Sequence, residues 1–156
     1  MATRKTRRQS RLSPLEQVRQ LLDAQTVGVL ATHHDGQPYS SLVAIAASKD
    51  LKSIVFATTR ATRKFENLTA DPRVSLMVDD RTNDVSDFHR ATGITVIGRV
   101  DEINKTARSR LMKHYLKRHP YMEDFISSPT CALLRIKVTK YVVVTRFQHV
   151  VEVTPR

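Results

Sequence analysis

A mainly β chain with a few helices, closing into a small antiparallel barrel, is the fold predicted by this sequence. Three observations lead there. Short runs rich in β-branched and aromatic residues recur along the chain, roughly seven of them. Helices are few and do not alternate with strands, so no repeating βαβ pattern demands a parallel sheet. The early strands are joined by short turns, which makes a meander, and closing the sheet best removes its unpaired edges. At 156 residues the chain has the length of one domain with a real core.

Ser13-Pro-Leu-Glu16 is a capping box with proline at the first helical position. Leu15, Val18, Leu21 and Leu22 share one face, so residues 14–25 form a helix that covers something. Val27 to Thr32 is an apolar strand, His33-His-Asp-Gly36 is turn chemistry, and Tyr39 to Ala47 is the returning strand. Lys49-Asp50 turns the chain into the strand Ser53 to Thr58, where Ile54, Val55 and Phe56 make a short apolar run. Ala61 to Ala70 is a short helix with Phe65 and Leu68 three apart on one face. Asp71-Pro72 ends it, because proline lacks an N–H and keeps the residue before it out of the helical region. Arg73 to Asp80 is a strand, and the polar stretch Arg81 to Asp87 is longer than a hairpin needs, which marks a candidate functional loop. Ala91 to Ile103 is a long strand. Asn104 caps a helix running to His119, with Ala107, Leu111 and Tyr115 along one face, and Pro120 stops it. Residues 121–128 hold one more helical turn. Cys131 to Val138, Tyr141 to Phe147 and Val150 to Thr154 are the closing strands.

Hydrophobic residues make up 40% of the chain, ordinary for a globular protein. The one cysteine, Cys131, cannot form an internal disulfide and reads as a buried thiol, which suits a reducing, cytoplasmic setting. No apolar run approaches a membrane span, and the basic start lacks the apolar stretch of a secretion signal, so no membrane partner is expected. Net charge is +11, and Arg4, Lys5, Arg7, Arg8 and Arg11 concentrate it in residues 1–12. Those residues read as a basic, disordered arm, and residues 13–156 as a single domain. Such an arm is a solvated tail or a contact for nucleic acid or another polyanion. No aromatic residue is interleaved to stack on bases, so the solvated tail is favoured.

The helix predicted after Thr58 breaks a local rule. Arg60, Arg63 and Lys64 crowd its first turn, and no acid appears before Glu66. A helix start carries free N–H groups and the positive end of the dipole, so cations there are unfavourable. An anion repairs the conflict. A phosphate takes the free N–H groups, the hydroxyls of Thr58 and Thr62, a forked pair of bonds from Arg63 and the point charge of Lys64. The same residues also read as a solvated helix start on a basic protein, with the threonines serving only as cap and strand residues.

Other chemistry is poorly provided for. The six histidines form no HExxH pair, and one cysteine leaves no zinc set, so no metal site is expected. No Walker loop, dinucleotide fingerprint or nucleophile elbow occurs. No catalytic side chain can be singled out, and a phosphate-bearing cofactor is the better source of reactivity.

Four stretches in register resemble one family: Gly36-Gln-Pro-Tyr-Ser-Ser-Leu-Val43, Phe56-Ala-Thr-Thr-Arg-Ala-Thr-Arg-Lys64, Asp71-Pro-Arg-Val-Ser-Leu76 and Ile94-Thr-Val-Ile-Gly98. They are similar to the pyridoxamine 5′-phosphate oxidase-like family, whose fold is the FMN-binding split barrel. The resemblance implies FMN as cofactor, with the backbone of Ser41, Leu42, Val43 and Ala44 along the flavin ring and Ala57 in contact with it. It implies that Thr58, Thr62, Arg63 and Lys64 hold the phosphate. It also implies a homodimer with the flavin at the interface, a small-molecule redox partner and a flavin-dependent oxidoreductase activity. Asp79-Asp-Arg-Thr-Asn83 resembles a loop of uncharacterised members, so Asn83 is a candidate contact to the partner's flavin. The departures matter too. Family oxidases carry an arginine where Ser41 stands, a lysine where Ala46 stands and a glutamine near Gly93, and they close on Arg-x-His where this chain has Phe147-Gln-His-Val-Val-Glu152. Binding of a pyridoxamine substrate is therefore unsupported. Haem binding or haem handling on the same fold is the alternative, and polyanion binding through the arm is a third.

Overall fold

The computed structural model describes residues 12–156. The basic arm read over residues 1–12 lies, apart from Leu12, outside the described residues. In chain order the elements are α1 (Pro14–Ala24), β1 (Val27–His34), β2 (Gln37–Ala44), β3 (Ala46–Ala47), β4 (Ser53–Thr59), α2 (Arg63–Ala70) and β5 (Arg73–Asp79). They continue with α3 (Asp87–Arg90), β6 (Gly93–Glu102), α4 (Lys105–Arg118), a 3-10 turn (Pro120–Met122), α5 (Glu123–Ser127), β7 (Cys131–Thr145) and β8 (His149–Val153).

All pairings are antiparallel, in the order β2-β1-β5-β6-β7-β4-β3, with β8 added to β7. The two ends of that order, β2 and β3, are consecutive in the chain, with only Ile45 between them. The sheet therefore curls until its last strand meets its first through the backbone. Along the remaining seam β2 lies against β4 without a ladder joining them. This is the split antiparallel barrel expected from the sequence.

Alternation builds its interior. Leu30, Ile54, Phe56, Leu76, Ile94, Val96, Ile136 and Tyr141 are buried from one strand to the next. The Tyr141 hydroxyl is satisfied inside by donating to the Leu51 carbonyl at 2.6 Å. Helix α1 covers one end with Val18, Leu21 and Leu22, and its capping box forms as read: Glu16 N–H donates to Ser13 Oγ at 3.3 Å, and Ser13 N–H to Glu16 Oε2 at 2.6 Å. A second cluster lies between the sheet and helices α4 and α5, with Tyr115, Ile126 and Leu133 at its centre.

Several boundaries differ from the sequence reading: β1 runs on through His34, so the turn is Asp35-Gly36 rather than His33 to Gly36, because His33 and His34 pair with Pro38 and Gln37. The strand read as Tyr39 to Ala47 is broken at Ile45, whose N–H turns to the Thr26 carbonyl at 3.0 Å. Helix α2 begins at Arg63 rather than Ala61, because Thr62 is extended (φ −93°, ψ 152°) and caps it. The loop Arg81 to Asp87 leads into a single turn of helix, α3. The segments Cys131 to Val138 and Tyr141 to Phe147 are one strand, β7, ending at Thr145. A β-bulge joins them: Ile97 pairs with Lys140 and Gly98 with Val138, which leaves Thr139 as the extra residue. Gly98 is required there, since a Cβ would collide with the Lys137 carbonyl oxygen.

Candidate functional site

The seam between β2 and β4 gathers most of the residues singled out in the sequence. Strand β2 pairs with β1 on one side only, so the N–H and C=O groups of its other edge, along Ser41 to Ala44, have no ladder partner. Ser41 and Val43 point to the barrel side, and Leu42 points out with 72% of its surface exposed. The Ser41 hydroxyl oxygen is buried with no hydrogen-bond partner among the described residues. An orphaned polar atom of this kind is costly unless something else satisfies it. Across the seam, β4 contributes Ala57 and the buried Thr58, and α2 starts immediately beyond.

At that start, Thr58 Oγ1 and Thr62 Oγ1 lie 2.9 Å apart. The Thr62 hydroxyl donates to the Thr59 carbonyl (3.0 Å) and accepts from Phe65 N–H (3.3 Å). With the Thr62 proton on the Thr59 carbonyl, Thr58 donates to Thr62 or, at 3.3 Å, to the same carbonyl. Both hydroxyls then present lone pairs rather than donors to the seam, so an anion needs Thr58 to turn its hydroxyl away from both acceptors. Donors ready as they stand are the backbone N–H groups and side chains of Arg63 and Lys64, since Phe65 N–H is taken by Thr62 Oγ1 and Glu66 N–H by the Thr62 carbonyl. Arg63 is exposed, and its guanidinium carbon lies 5.6 Å over the Tyr39 ring, which ties α2 to β2 across the seam. Neither Arg63 nor Lys64 meets a carboxylate, whereas Arg60 is paired with Glu102 (Nη1 to Oε2 3.1 Å) and lies over the Phe65 ring. Arg60 therefore drops out of the cationic cluster. Its hydrogen bond holds the Glu102 carboxyl below the usual range.

Asn83 is not brought to this cluster within one chain. It sits after β5, which is separated from β2 by β1, and it is exposed. Its φ of +63° is in the left-handed region that asparagine tolerates. The loop around it is held from within: the Asp87 carboxylate accepts from Thr82 N–H (3.0 Å), Thr82 Oγ1 (3.1 Å) and Asp84 N–H (3.2 Å), which lowers its pKa.

Three side chains of the α4 segment clasp the β2–β3 break, a role the sequence did not reveal. Tyr115 donates its hydroxyl to the Ala44 carbonyl at 3.4 Å, His114 Nε2 lies 3.0 Å from the Ala47 carbonyl, and buried His119 donates from Nε2 to the Ile45 carbonyl at 2.7 Å. Burial pushes the Tyr115 phenol well up, so it stays a donor. No local pattern pairs a histidine with a carbonyl about 70 residues earlier. Among the described residues no group of three or more metal-ligating side chains occurs, and no helix is long and apolar enough to cross a membrane.

Known proteins resemble this chain in sequence or in fold. A chloroplastic protein named a non-canonical haem oxygenase, from Arabidopsis thaliana, is 28% identical over 144 residues; these are 85% of this chain and 41% of that one. A haem-binding protein from Mycobacterium smegmatis superposes with a TM-score of 0.83 at 18% identity, over 94% of this chain and 60% of that one. An FAD-binding protein from Mesorhizobium loti superposes with a TM-score of 0.68 at 24% identity, over 85% of this chain and 94% of that one. The chain thus spans less than two thirds of the first two relatives, and the structural likenesses speak for the fold. The sequence model of the pyridoxamine 5′-phosphate oxidase family matches residues 14–144, most of the described chain. With that match, and with the split barrel and its seam in place, the chain belongs to the pyridoxamine 5′-phosphate oxidase family.

Proposed function

We propose that the protein binds FMN at the seam of a two-fold dimer and serves as a flavin-dependent oxidoreductase with a small-molecule redox partner. The observation that carries this reading is the pair Arg63 and Lys64 at the start of α2, with no carboxylate partner among the described residues, together with the orphaned Ser41 hydroxyl on the β2 edge. The phosphate is held by Arg63, Lys64 and the first N–H groups of α2, and by Thr58 once its hydroxyl turns. Ser41 to Ala44 offer an unpaired strand edge to a flat polar ring, and Ala57 leaves room for it. Flavin, when bound, supplies the electron transfer. The chain orients it and places backbone donors where negative charge gathers. Asn83, remote from the seam in its own chain, is assigned to the partner's flavin.

A band of apolar side chains on the outer sheet face supports the dimer. Leu42 pairs with Val29 and Val29 with Met77, while one row along Gly93 pairs with Val144 and Val144 with Val150. Leu42, Met77, Val144 and Val150 are 72%, 45%, 36% and 57% exposed, a contiguous surface of the kind that a second subunit covers.

Haem handling is the second reading, supported by the names of two relatives. No seam residue is a histidine, so iron ligation by imidazole at the seam finds no support in the chain. The visible absorption spectrum of the purified protein tests both readings. Flavin bands are expected, and a Soret band or a colourless protein that ignores added FMN would overturn the first reading.

A further inference from the structure

A cavity of about 620 Å³ opens at the end of the barrel between α1, α3 and the β7–β8 turn. It is not part of the seam. Its wall includes Val143 and Val151, a cross-strand pair on one face of the β7–β8 ribbon, whereas the outer band uses Val144 and Val150 on the opposite face. Its arginines and histidines are Arg90 and His89 at the end of α3 and Arg146 and His149 at the β7–β8 turn, and Gln17, Thr92 and Thr145 complete the polar lining. No aspartate or glutamate lines it.

The arginines among the described residues divide into those that meet a carboxylate and those, Arg63 among them, that do not. Arg19, Arg60, Arg73, Arg81 and Arg135 each meet a carboxylate. Arg90 and Arg146 form no ion pair among the described residues, yet they converge on one space. The turn that presents Arg146 is unusual as well. Arg146, Phe147 and Gln148 are all left-handed, with φ of 47°, 50° and 67°. Beside the cavity, Phe88 and Phe147 meet edge to face at 6.3 Å between centroids, and the His89 ring lies 5.7 Å from Phe147. Both phenylalanines stay exposed, at 69% and 54%.

We infer that this cavity binds a small organic anion: a phosphate or carboxylate head gripped by Arg90 and Arg146, with a flat apolar body against Val143, Val151 and the aromatic rim. Its volume lies within the range of small-molecule sites, about 300–1,000 Å³. Two guanidinium forks supply the paired donors that such a head requires. The aromatic rings offer faces and edges to a flat body. This inference does not depend on what the seam binds.

The test titrates the full chain with 1-naphthyl phosphate and with 1-naphthoate, following heat and backbone amide NMR shifts. The expected result is one saturable site for each probe whose shifts centre on Arg90, Thr145, Arg146 and His149. Arg90→Gln and Arg146→Gln should each weaken it roughly tenfold or more, the scale of a charge-assisted hydrogen bond. Arg146→Lys should recover only part, because the fork is gone. Both arginines are exposed, so the variants keep the fold, and their unshifted amides elsewhere verify this. Shifts confined to the start of α2, unsaturable binding, or parental affinity in both glutamine variants would overturn the inference.

Discussion

Replacing Arg63 with alanine separates flavin binding from folding. In the free chain Arg63 is exposed, meets no carboxylate, and contributes one cation–π contact to Tyr39 at 5.6 Å. An exposed contact of this type is worth about 0.5–1 kcal/mol. Removing a cation from a helix start returns about 0.3–1 kcal/mol. The two nearly cancel, so the apo-protein should keep its melting temperature to within about 3 °C. Flavin affinity should behave otherwise. Losing a charge-assisted hydrogen bond to phosphate costs about 1.5–3 kcal/mol, roughly a 10- to 150-fold weaker Kd. Lys64→Ala should act in the same direction. Arg60→Ala is the control, since Arg60 is spent on Glu102 in a pair of which both members are 44% exposed. It should cost at most about 1 kcal/mol of stability and leave FMN affinity unchanged. The assay is quenching of flavin fluorescence on titration into apo-protein, beside thermal melts without FMN. Parental affinity in the Arg63 and Lys64 variants, or an equal loss in Arg60→Ala, would refute the phosphate assignment.

Asn83 is left-handed, so Asn83→Ala introduces about 1–2 kcal/mol of backbone strain that Asn83→Gly avoids. A flavin spectrum altered by both variants assigns the effect to the lost side chain, and one altered by alanine alone assigns it to the loop. Leu42→Glu and Met77→Glu place charge in the outer apolar band and should shift the protein from dimer to monomer in light scattering, with weaker FMN binding; unchanged mass would exclude that face as the interface. Asp101 is pushed up by burial but pulled down further by Arg135 and Lys137, so its folded pKa is lowered overall. A lowered carboxyl pKa stabilises above the unfolded value of about 3.9 and loses that contribution as pH falls through the folded value. Arg135→Gln should therefore raise the Asp101 titration midpoint, read by carboxyl carbon NMR, and start acid unfolding at higher pH.

The sequence made the barrel legible because its signals are local: a capping box at Ser13, apolar alternation along the strands, and proline after α2. The grouping of threonines and cations at the start of α2 was legible for the same reason, since Thr58 to Lys64 lie within one strand–helix turn. What escaped is long-range. Arg60 reads in sequence as a third cation of the cluster, but Glu102, 42 residues on, holds it. The clasp of Tyr115, His114 and His119 on the β2–β3 break depends on α4 docking across the sheet. The barrel-end cavity joins α1, α3 and the β7–β8 turn, segments between which no sequence periodicity runs.

The misreading of β7 as two strands has a cause that also makes a prediction. Before Thr139 the buried positions include Ala132, Leu134 and Ile136, all even; after it they are Tyr141 and Val143, both odd. Alternation changes phase at Thr139, and a change of phase reads as a break between strands. The bulge reconciles the two phases by spending one residue, so the strand runs on and Val143 faces the barrel while Val144 faces out. Exposed Thr139 thus matters as a residue of chain rather than as a side chain. Thr139→Ala should fall within about 0.5 kcal/mol of the parent in a denaturant melt. Deleting Thr139 should instead turn Tyr141 and Val143 out of the core and Val142 and Val144 into it, strip the Tyr141 hydroxyl from the Leu51 carbonyl, and prevent cooperative folding. A deletion variant that melts cooperatively near the parent's midpoint would mean that the bulge migrates along β7, and that Thr139 does not set which valines face the cavity and which the outer band.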